Sequence, residues 1–335
     1  MENKREKSRK TRNFLFKIFL YFIIFELFFT VATAPFIIFH GPFKNVKKTM
    51  VGAAMTTLKH QYIAKTFLSD AKIKEILGED SIQTIKQDKN SVLKFENKHD
   101  STIERYDISY GKKFKGYMLV VHDPSRVKVG YSSKLPVQGE LTSQIARNKR
   151  AVAAINAGGF TDKSANSKWT GTGGNVEGVI ISKGEVKYNS NKQGEFTGDV
   201  AAITKKGALV VGKHSIQELK DLNVQEAITF GPALVVKGQG TITSGDGGWG
   251  MAPRTAIGQR DDGAILMLVI DGRQASSLGA TLKDVQDIML QYDAYTATNL
   301  DGGSSTTMYH EGEVINNPAN SLGERSVPSI LYVEP

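Results

Sequence analysis

The run of 22 residues from Ile18 to Phe39 carries one ionisable acid, Glu26, and constrains this chain more than any other stretch. As a helix it rises about 33 Å at ~1.5 Å per residue, enough to cross a hydrocarbon core of about 30 Å. Lys4, Arg5, Lys7, Arg9, Lys10 and Arg12 precede it, against only Glu2 and Glu6. Basic residues on that side put the N-terminus in the cytoplasm and the rest of the chain outside. A cleaved signal sequence is the competing reading. Ala32-Thr33-Ala34 has the small-x-small form, but Pro35 follows at once and the run is long for a signal core. The expectation is a cytoplasmic basic tail over 1–13 and a single-pass, uncleaved cell-membrane anchor over 14–39. Glu26 is then either a pairing site in the membrane or a tolerated residue. Pro35 lies near the outer end, where a kink or helix stop is affordable.

The tail supplies a net four of the formal +9, so the remainder of the 335 residues is only mildly basic. No basic and aromatic stripe continues beyond it, which argues against a nucleic-acid partner. Cysteine is absent, which excludes structural disulfides and thiolate chemistry. For an exported chain of this size, that fits a bacterial surface protein stabilised by a large core.

From Lys44 to about Leu77 the residues favour helix, with Ala53, Ala54, Leu58, Tyr62, Ile63 and Phe67 at roughly helical spacing. Ser69-Asp70 precedes a second short helical stretch, Ala71 to Leu77, and residues 44–91 read as a helical stalk and linker. Beyond them the texture changes to short β-rich runs bounded by Gly, Asn and Asp: Tyr117–Val121, Ala151–Ile155, Val176–Ile181, Ala208–Val211, Ala233–Val236, Ala264–Ile270 and Ile330–Val333. One clear helix interrupts them, with Thr281 as N-cap, Asp284 three residues on, and Leu282, Val285, Ile288 and Met289 as its apolar stripe. The expected fold class is α+β, a β-rich mixed-sheet domain over 92–335 with few helices, preceded by the transmembrane helix and the stalk.

Polar residues follow four of the apolar runs, placing them on rigid supports. Asn156 ends one run and is followed by Gly158, Gly159 and Phe160, offering an amide and bare N–H groups to sugar hydroxyls or phosphate. The loop Gly171–Asn175 lacks the Gly-Lys-Ser/Thr of a nucleotide loop, and Glu177 stands at the entry to the next strand. Partial burial there would raise its pKa towards that of a general acid. Arg254 and Arg273 suit phosphate, because a guanidinium engages two oxygens at once, and Asp271 caps the uniformly apolar run before Gly272; a structural Arg–Asp pair is the alternative reading. Asn299 and Asp301 precede Gly302, Gly303, Ser304 and Ser305. No Gly-x-Ser-x-Gly elbow or His-Glu-x-x-His pattern is present, which argues against a serine hydrolase and a zinc site. No cofactor is implied. Calcium or magnesium at Asp271 and Asp301 stays open.

In this order the segments resemble the phosphodiester glycosidase family, over about residues 100–335. The matching stretches are Ile155–Phe160, Phe230–Leu234, Ala252–Gly258, Asp271–Arg273, Ser277–Leu282 and Asn299–Ser305. The bacterial members it looks closest to are membrane-anchored and associated with exopolysaccharide. The resemblance implies hydrolysis of a sugar-1-phosphodiester in a cell-surface glycan, cut at the anomeric carbon. It makes Asp301 or Asp271 the base or nucleophile, Glu177 an assistant, Asn156 the residue that orients the sugar, and Arg254 and Arg273 the phosphate ligands. Gly158, Gly159, Asn299, Gly302, Gly303 and Ser304 complete the expected substrate contacts. The alternatives are a glycan-binding or polymer-assembly protein, and a phosphodiesterase that breaks P–O.

Overall fold

The computed structural model describes residues 2–55, 61–77, 82–85, 87–88, 90–111, 113–161, 172–191, 194–320 and 322–335, with backbone only for 2–11. The basic side chains before Arg12, Leu58 of the helical stretch and Gly171 of the glycine loop lie outside the described residues.

Helix α1 (Glu2–His40) runs unbroken through Pro35 and ends at Gly41, whose N–H reaches back to Ile37 O at 2.9 Å. Its segment Arg12–His40 spans 29 residues with a mean hydropathy of 2.2 and is almost wholly uncovered by protein. Three short helices follow: α2 (Lys44–Met55), α3 (Gln61–Lys65) and α4 (Asp70–Leu77). Lys72 N–H donates to Ser69 Oγ at the start of α4. Phe39, Val51, Ala54, Ala64, Ile73 and Leu77 bury against one another to hold this group together. Tyr62, placed on the apolar stripe by its spacing, is instead 65% exposed. Ala64 is the buried residue of α3, and a residue two positions away on a helix points to the opposite side.

Three large sheets, with two two-stranded ones beside them, form the framework of the remaining described residues. In spatial order the first holds strands Ile103–Tyr110, Phe114–Val121, Ile265–Ile270, Arg254–Arg260, Ala294–Leu300, Ala233–Val236 and Gln239–Gly240. The second holds Leu209–Ser215, Thr197–Thr204, Val224–Thr229, Val179–Ser182 and Glu185–Asn189. The third holds Glu313–Val314, Met308–His310, Ala153–Asn156, Ser329–Val333 and Val127–Tyr131.

Side-chain alternation explains how they pack. Ile265, Met267 and Val269 face a core shared with Ala201 and Ile203 of the second sheet and Ile155 and Leu331 of the third. The alternate residues Leu266, Leu268 and Ile270 face outwards, under Leu282, Val285 and Met289 of α7 (Leu282–Gln291). The same division recurs twice. Val200 and Ala202 face Leu219 of α6 (Ile216–Asp221), and Ala154, Ile330 and Tyr332 face Ile145 and Ala146 of α5 (Thr142–Asn148). The central strands of each sheet are thus buried on both faces, the inner one against the other sheets and the outer one under a single helix, while edge strands such as Ile103–Tyr110 and Glu185–Asn189 stay largely exposed. That is why the Ala264–Ile270 run is apolar at every position.

The fold is α+β and β-rich, and its described ladders are all antiparallel. The two directions of the expected mixed sheet are present without pairing in parallel. Ile265–Ile270 and Ala294–Leu300, joined through α7, run the same way but flank Arg254–Arg260 and bond to it rather than to each other.

These registers gather several strand ends at one edge. Arg254 pairs with Ile270, Thr255 with Leu300 and Ala233 with Thr298, so the segments 230–232, 252–254, 271–273 and 299–304 emerge together. Asn156, which ends a strand of the third sheet opposite Ile330, meets them there.

Candidate active site

Asn156 is fully buried and ties the first sheet to the third. Its Nδ2 donates to Asp301 O at 2.6 Å, while its Oδ1 accepts from Thr255 Oγ1 at 2.8 Å and Thr307 N–H at 3.1 Å. Asp301 N–H donates to Ala157 O at 3.0 Å, so the backbone of Asp301 is held from both sides. Asn156 therefore mounts the carboxylate that follows it, rather than presenting its amide to a ligand.

Several other expected ligands also face inwards. Gly158 N–H donates to Ser329 Oγ, Gly159 N–H to Thr229 O and Gly303 N–H to Pro253 O, so these amides are already engaged. Asn299 is buried and donates through Nδ2 to Gly231 O at 3.0 Å. Arg254 is 3% exposed, and its guanidinium donates to Ala280 O at 3.0 Å, Trp249 O at 3.1 Å and Gly250 O at 2.6 Å. Burial first, and then the charge of Arg273, lower its pKa from the ordinary guanidinium value to about 10. It stays cationic near neutral pH, with its charge spent on three carbonyls of its own chain.

The side chains that reach solvent come from the loops. Arg273 adopts a left-handed backbone (φ +59°), and its guanidinium lies beside Gly303, 3.3–3.7 Å from where a Cβ would stand. The residue as a whole is exposed, yet desolvation and then the neighbouring charge of Arg325 lower its pKa. Arg325 donates to Ser304 Oγ at 3.2 Å and lies 4.6 Å over the ring of Phe160. Glu177 is exposed, and the burial expected for its carboxylate is not found. Its N–H donates to Gly159 O, and its Oε2 lies 3.7 Å from where a Cβ on Gly159 would stand, with the Phe230 ring on that same side. Asp301, Gly302, Gly303 and Ser304 are half-buried along the rim.

Asp271 sits deeper, 7% exposed, and accepts from Asn316 Nδ2 at 3.0 Å and Asn317 N–H at 3.1 and 3.2 Å. Desolvation raises its pKa, and the two hydrogen bonds oppose that rise only in part. Among the described residues no three His, Cys, Asp or Glu side chains gather as a metal-ligand set.

The strand registers bring Asn156, Arg254, Asp271, Arg273 and Asp301 to one edge, where two guanidinia and a half-buried aspartate stand around the Gly302–Ser304 turn, and Glu177 borders that edge through Gly159. That is the equipment for neutralising an anionic group beside a carboxylate. The profile of the phosphodiester glycosidases matches residues 149–334, which takes in every one of these residues. The chain belongs to the phosphodiester glycosidase family.

Two curated proteins are similar to it. The SPbeta prophage-derived uncharacterized protein YomE of Bacillus subtilis is 31% identical over 202 residues, which is 58% of this chain and 29% of that protein. The bovine N-acetylglucosamine-1-phosphodiester alpha-N-acetylglucosaminidase is 25% identical over 182 residues, 54% of this chain and 30% of that enzyme. The match thus spans less than a third of either relative. Among solved structures, the catalytic domain of the zebrafish N-acetylglucosamine-1-phosphodiester alpha-N-acetylglucosaminidase, auto-inhibited by its pro-peptide, superposes with a TM-score of 0.61 at 23% identity. It covers 72% of this chain and 87% of that one. A putative exported protein of Burkholderia pseudomallei gives 0.51 at 16% identity, over 66% and 74%. These two likenesses establish the fold.

Sequence reasoning did not single out Arg325, which lies in a loop without strand or helix patterning, and it placed Phe160 and Phe230 in the matching stretches without giving either a site role. The second member of a guanidinium pair is Arg325, where the sequence suggested Arg254.

Proposed function

We propose that this protein is a membrane-anchored, extracytoplasmic glycosidase that hydrolyses a sugar-1-phosphodiester of a cell-surface or exopolysaccharide glycan. The observation that carries this reading is the pairing of Arg273 and Arg325 across the Gly303–Ser304 turn, next to Asp301 on its clamped backbone. In the reaction the bond from the anomeric carbon to the bridging oxygen breaks. That oxygen leaves with the phosphomonoester, and water supplies the new oxygen on carbon 1. A phosphomonoester is a stable leaving group, so the main demands are charge neutralisation at phosphate and support for an oxocarbenium-like centre. Arg273 and Arg325 meet the first demand. Asp301 acts as base or nucleophile, with Glu177 assisting from the opposite wall and the buried Asp271 supplying a further negative charge.

The uncovered apolar helix Arg12–His40 supports an anchor with the domain outside the cell. Helices α2 to α4 then form a short stalk, which puts lipid-linked or wall-bound glycans within closer reach than soluble ones.

Turnover of a synthetic sugar-1-phosphodiester in oxygen-18 water tests the chemistry. Label in the free sugar is the expected result. Label in phosphate would assign P–O cleavage instead, and binding without turnover would make the protein a glycan-binding module.

A further inference from the structure

A cavity of about 400 Å³ opens at the other end of the strands that lead into the candidate site. Lys149 and Arg150 reach it from the end of α5, Lys183 and Lys187 from the hairpin of Val179–Ser182 with Glu185–Asn189, and Tyr131 and Tyr332 from the third sheet. Lys187 pairs with Glu185, and Lys149 lies 5.5 Å over the Tyr131 ring. Among the described residues no ion pair engages Lys149, Arg150 or Lys183. The carboxylate beneath the cavity, Glu226, is 2% exposed and faces backbone: it accepts from Val129 N–H at 2.9 Å and Lys183 N–H at 3.1 Å. It therefore props the wall that carries Lys183, and its oxygens are taken by backbone N–H groups rather than by those cations.

Arg150 adds a second observation. It occupies the left-handed position after α5 (φ +54°), where α6 and α7 are followed by Asn223 and Asp293, residue types that tolerate that conformation. The chain places a long cation at a backbone position that disfavours it, and directs it into a hollow already lined by three lysines.

We propose that this cavity is a second anion site that holds a phosphate group of a glycan-phosphate polymer at a distance from the bond being cut. This inference rests on the glycosidase reading for the identity of the polymer, though not for the existence of the anion site. The strand Val179–Ser182 starts just beyond Glu177 and ends at Lys183. Lys183 follows Glu177 by six positions, at most ~20 Å of extended chain. A polymer with several phosphate-linked sugars spans such a gap, and a single sugar phosphodiester does not.

The test uses the detergent-solubilised full chain with Lys149→Gln, Arg150→Asn and Lys183→Gln combined, Arg150→Asn being chosen to suit the left-handed backbone. Two substrates are compared: one sugar-1-phosphodiester, and an oligomer of at least four phosphate-linked sugars. The expected result is a KM for the oligomer raised by about tenfold or more, with kcat and the monomer's KM unchanged. Equal loss on both substrates, or no loss on the oligomer, would overturn the proposal. Oligomer binding by calorimetry in the Asp301→Asn background separates the two readings. Weaker binding in the triple variant supports the anion site even if no substrate turns over, and unchanged binding defeats it. Soluble short-chain phosphatidylglycerol titrated by calorimetry forms the third arm. If the triple variant loses that binding but keeps oligomer binding, the cavity serves a lipid headgroup and the polymer assignment falls.

Discussion

Replacing Arg254 by methionine, and separately by lysine, separates a structural guanidinium from a substrate ligand. Methionine keeps the stem and removes the head group, leaving the carbonyls of Trp249, Gly250 and Ala280 without their donor. Charge-assisted bonds of this kind contribute roughly 1.5–3 kcal/mol each. Against them stands the cost of keeping the cation in a dry site: a pKa lowered by burial to about 10 corresponds to ~3 kcal/mol. The balance leaves Arg254 stabilising by about 1–6 kcal/mol, with ~3 kcal/mol at the centre of that range. For a domain of this size each kcal/mol moves the melting temperature by roughly 2–4 °C, so Arg254→Met should melt about 6–12 °C below wild type. Lysine offers its donors from one point and cannot span three carbonyls in the guanidinium's plane, so Arg254→Lys should fall between the two. The assay is thermal and urea unfolding of the full chain in detergent, alongside KM for a sugar phosphodiester. A phosphate ligand at the surface would behave in the opposite way, with stability within about 0.5 kcal/mol of wild type and a raised KM. That outcome for Arg254→Met would refute the structural role argued here.

Asp301→Asn should lower kcat by roughly a thousandfold or more while leaving the unfolding midpoint near wild type, because its backbone clamps persist; near-wild-type turnover would remove Asp301 from the mechanism. Asp271 has a pKa raised above the ordinary carboxylate value by burial, so its folded form holds a proton over a pH window where the unfolded chain has released it. Its contribution to stability is therefore full below the ordinary value near 3.8 and is lost as pH rises through the raised one. Urea midpoints measured from about pH 4 to 7 should show that decline in wild type and not in Asp271→Asn, and parallel curves would contradict the assignment. Gly52→Ala places a Cβ 2.6 Å from Gly250 N and should cost about 1–3 kcal/mol by driving α2 away from the loop whose carbonyls hold Arg254. An unfolding curve that superposes on wild type would mean that α2 does not bear on that loop in solution. Thr281→Ala removes the acceptor for Asp284 N–H at the start of α7 and should cost ~1 kcal/mol by the same unfolding assay, with no change in KM.

Much of the fold is legible in the sequence where burial is two-sided or a cap is explicit. The Ala264–Ile270 run forms the strand Ile265–Ile270, and Thr281 with Asp284 closes a reciprocal cap. Helices α5 and α6 leave less trace. They have seven and six residues, too few for a 3.6 period to show, and each anchors through few apolar side chains, such as Ile145 and Leu219. A signal for α6 was nevertheless present: Ser215 and Glu218 stand three apart and bond reciprocally. Which way a polar side chain points is less readable. Arg254 opens a strand buried along almost its whole length, between small residues that leave room for a guanidinium inside. Residue type alone suggested phosphate, whereas the surrounding texture favours burial.

The motifs that stand out in this chain and the groups we propose to meet a ligand are, for the most part, different residues. Asn156, Asn299 and Arg254 bond to backbone or buried hydroxyls, and Gly272 and Gly302 stand so close to Pro253 that a Cβ would approach its backbone to 2.7 and 2.8 Å. These contacts converge on the ends of the strands Arg254–Arg260, Ile265–Ile270, Ala294–Leu300 and Ala153–Asn156. Arg273, Arg325, Ser304 and Glu177 project from the loops that such an assembly supports. A phosphodiester glycosidase needs its cations and its carboxylate within a fraction of an ångström of their working positions, and exposed loops do not hold such positions unaided. The buried polar clasp supplies that rigidity at the seam between sheets, and leaves the loops that face the substrate free to differ between relatives without disturbing it.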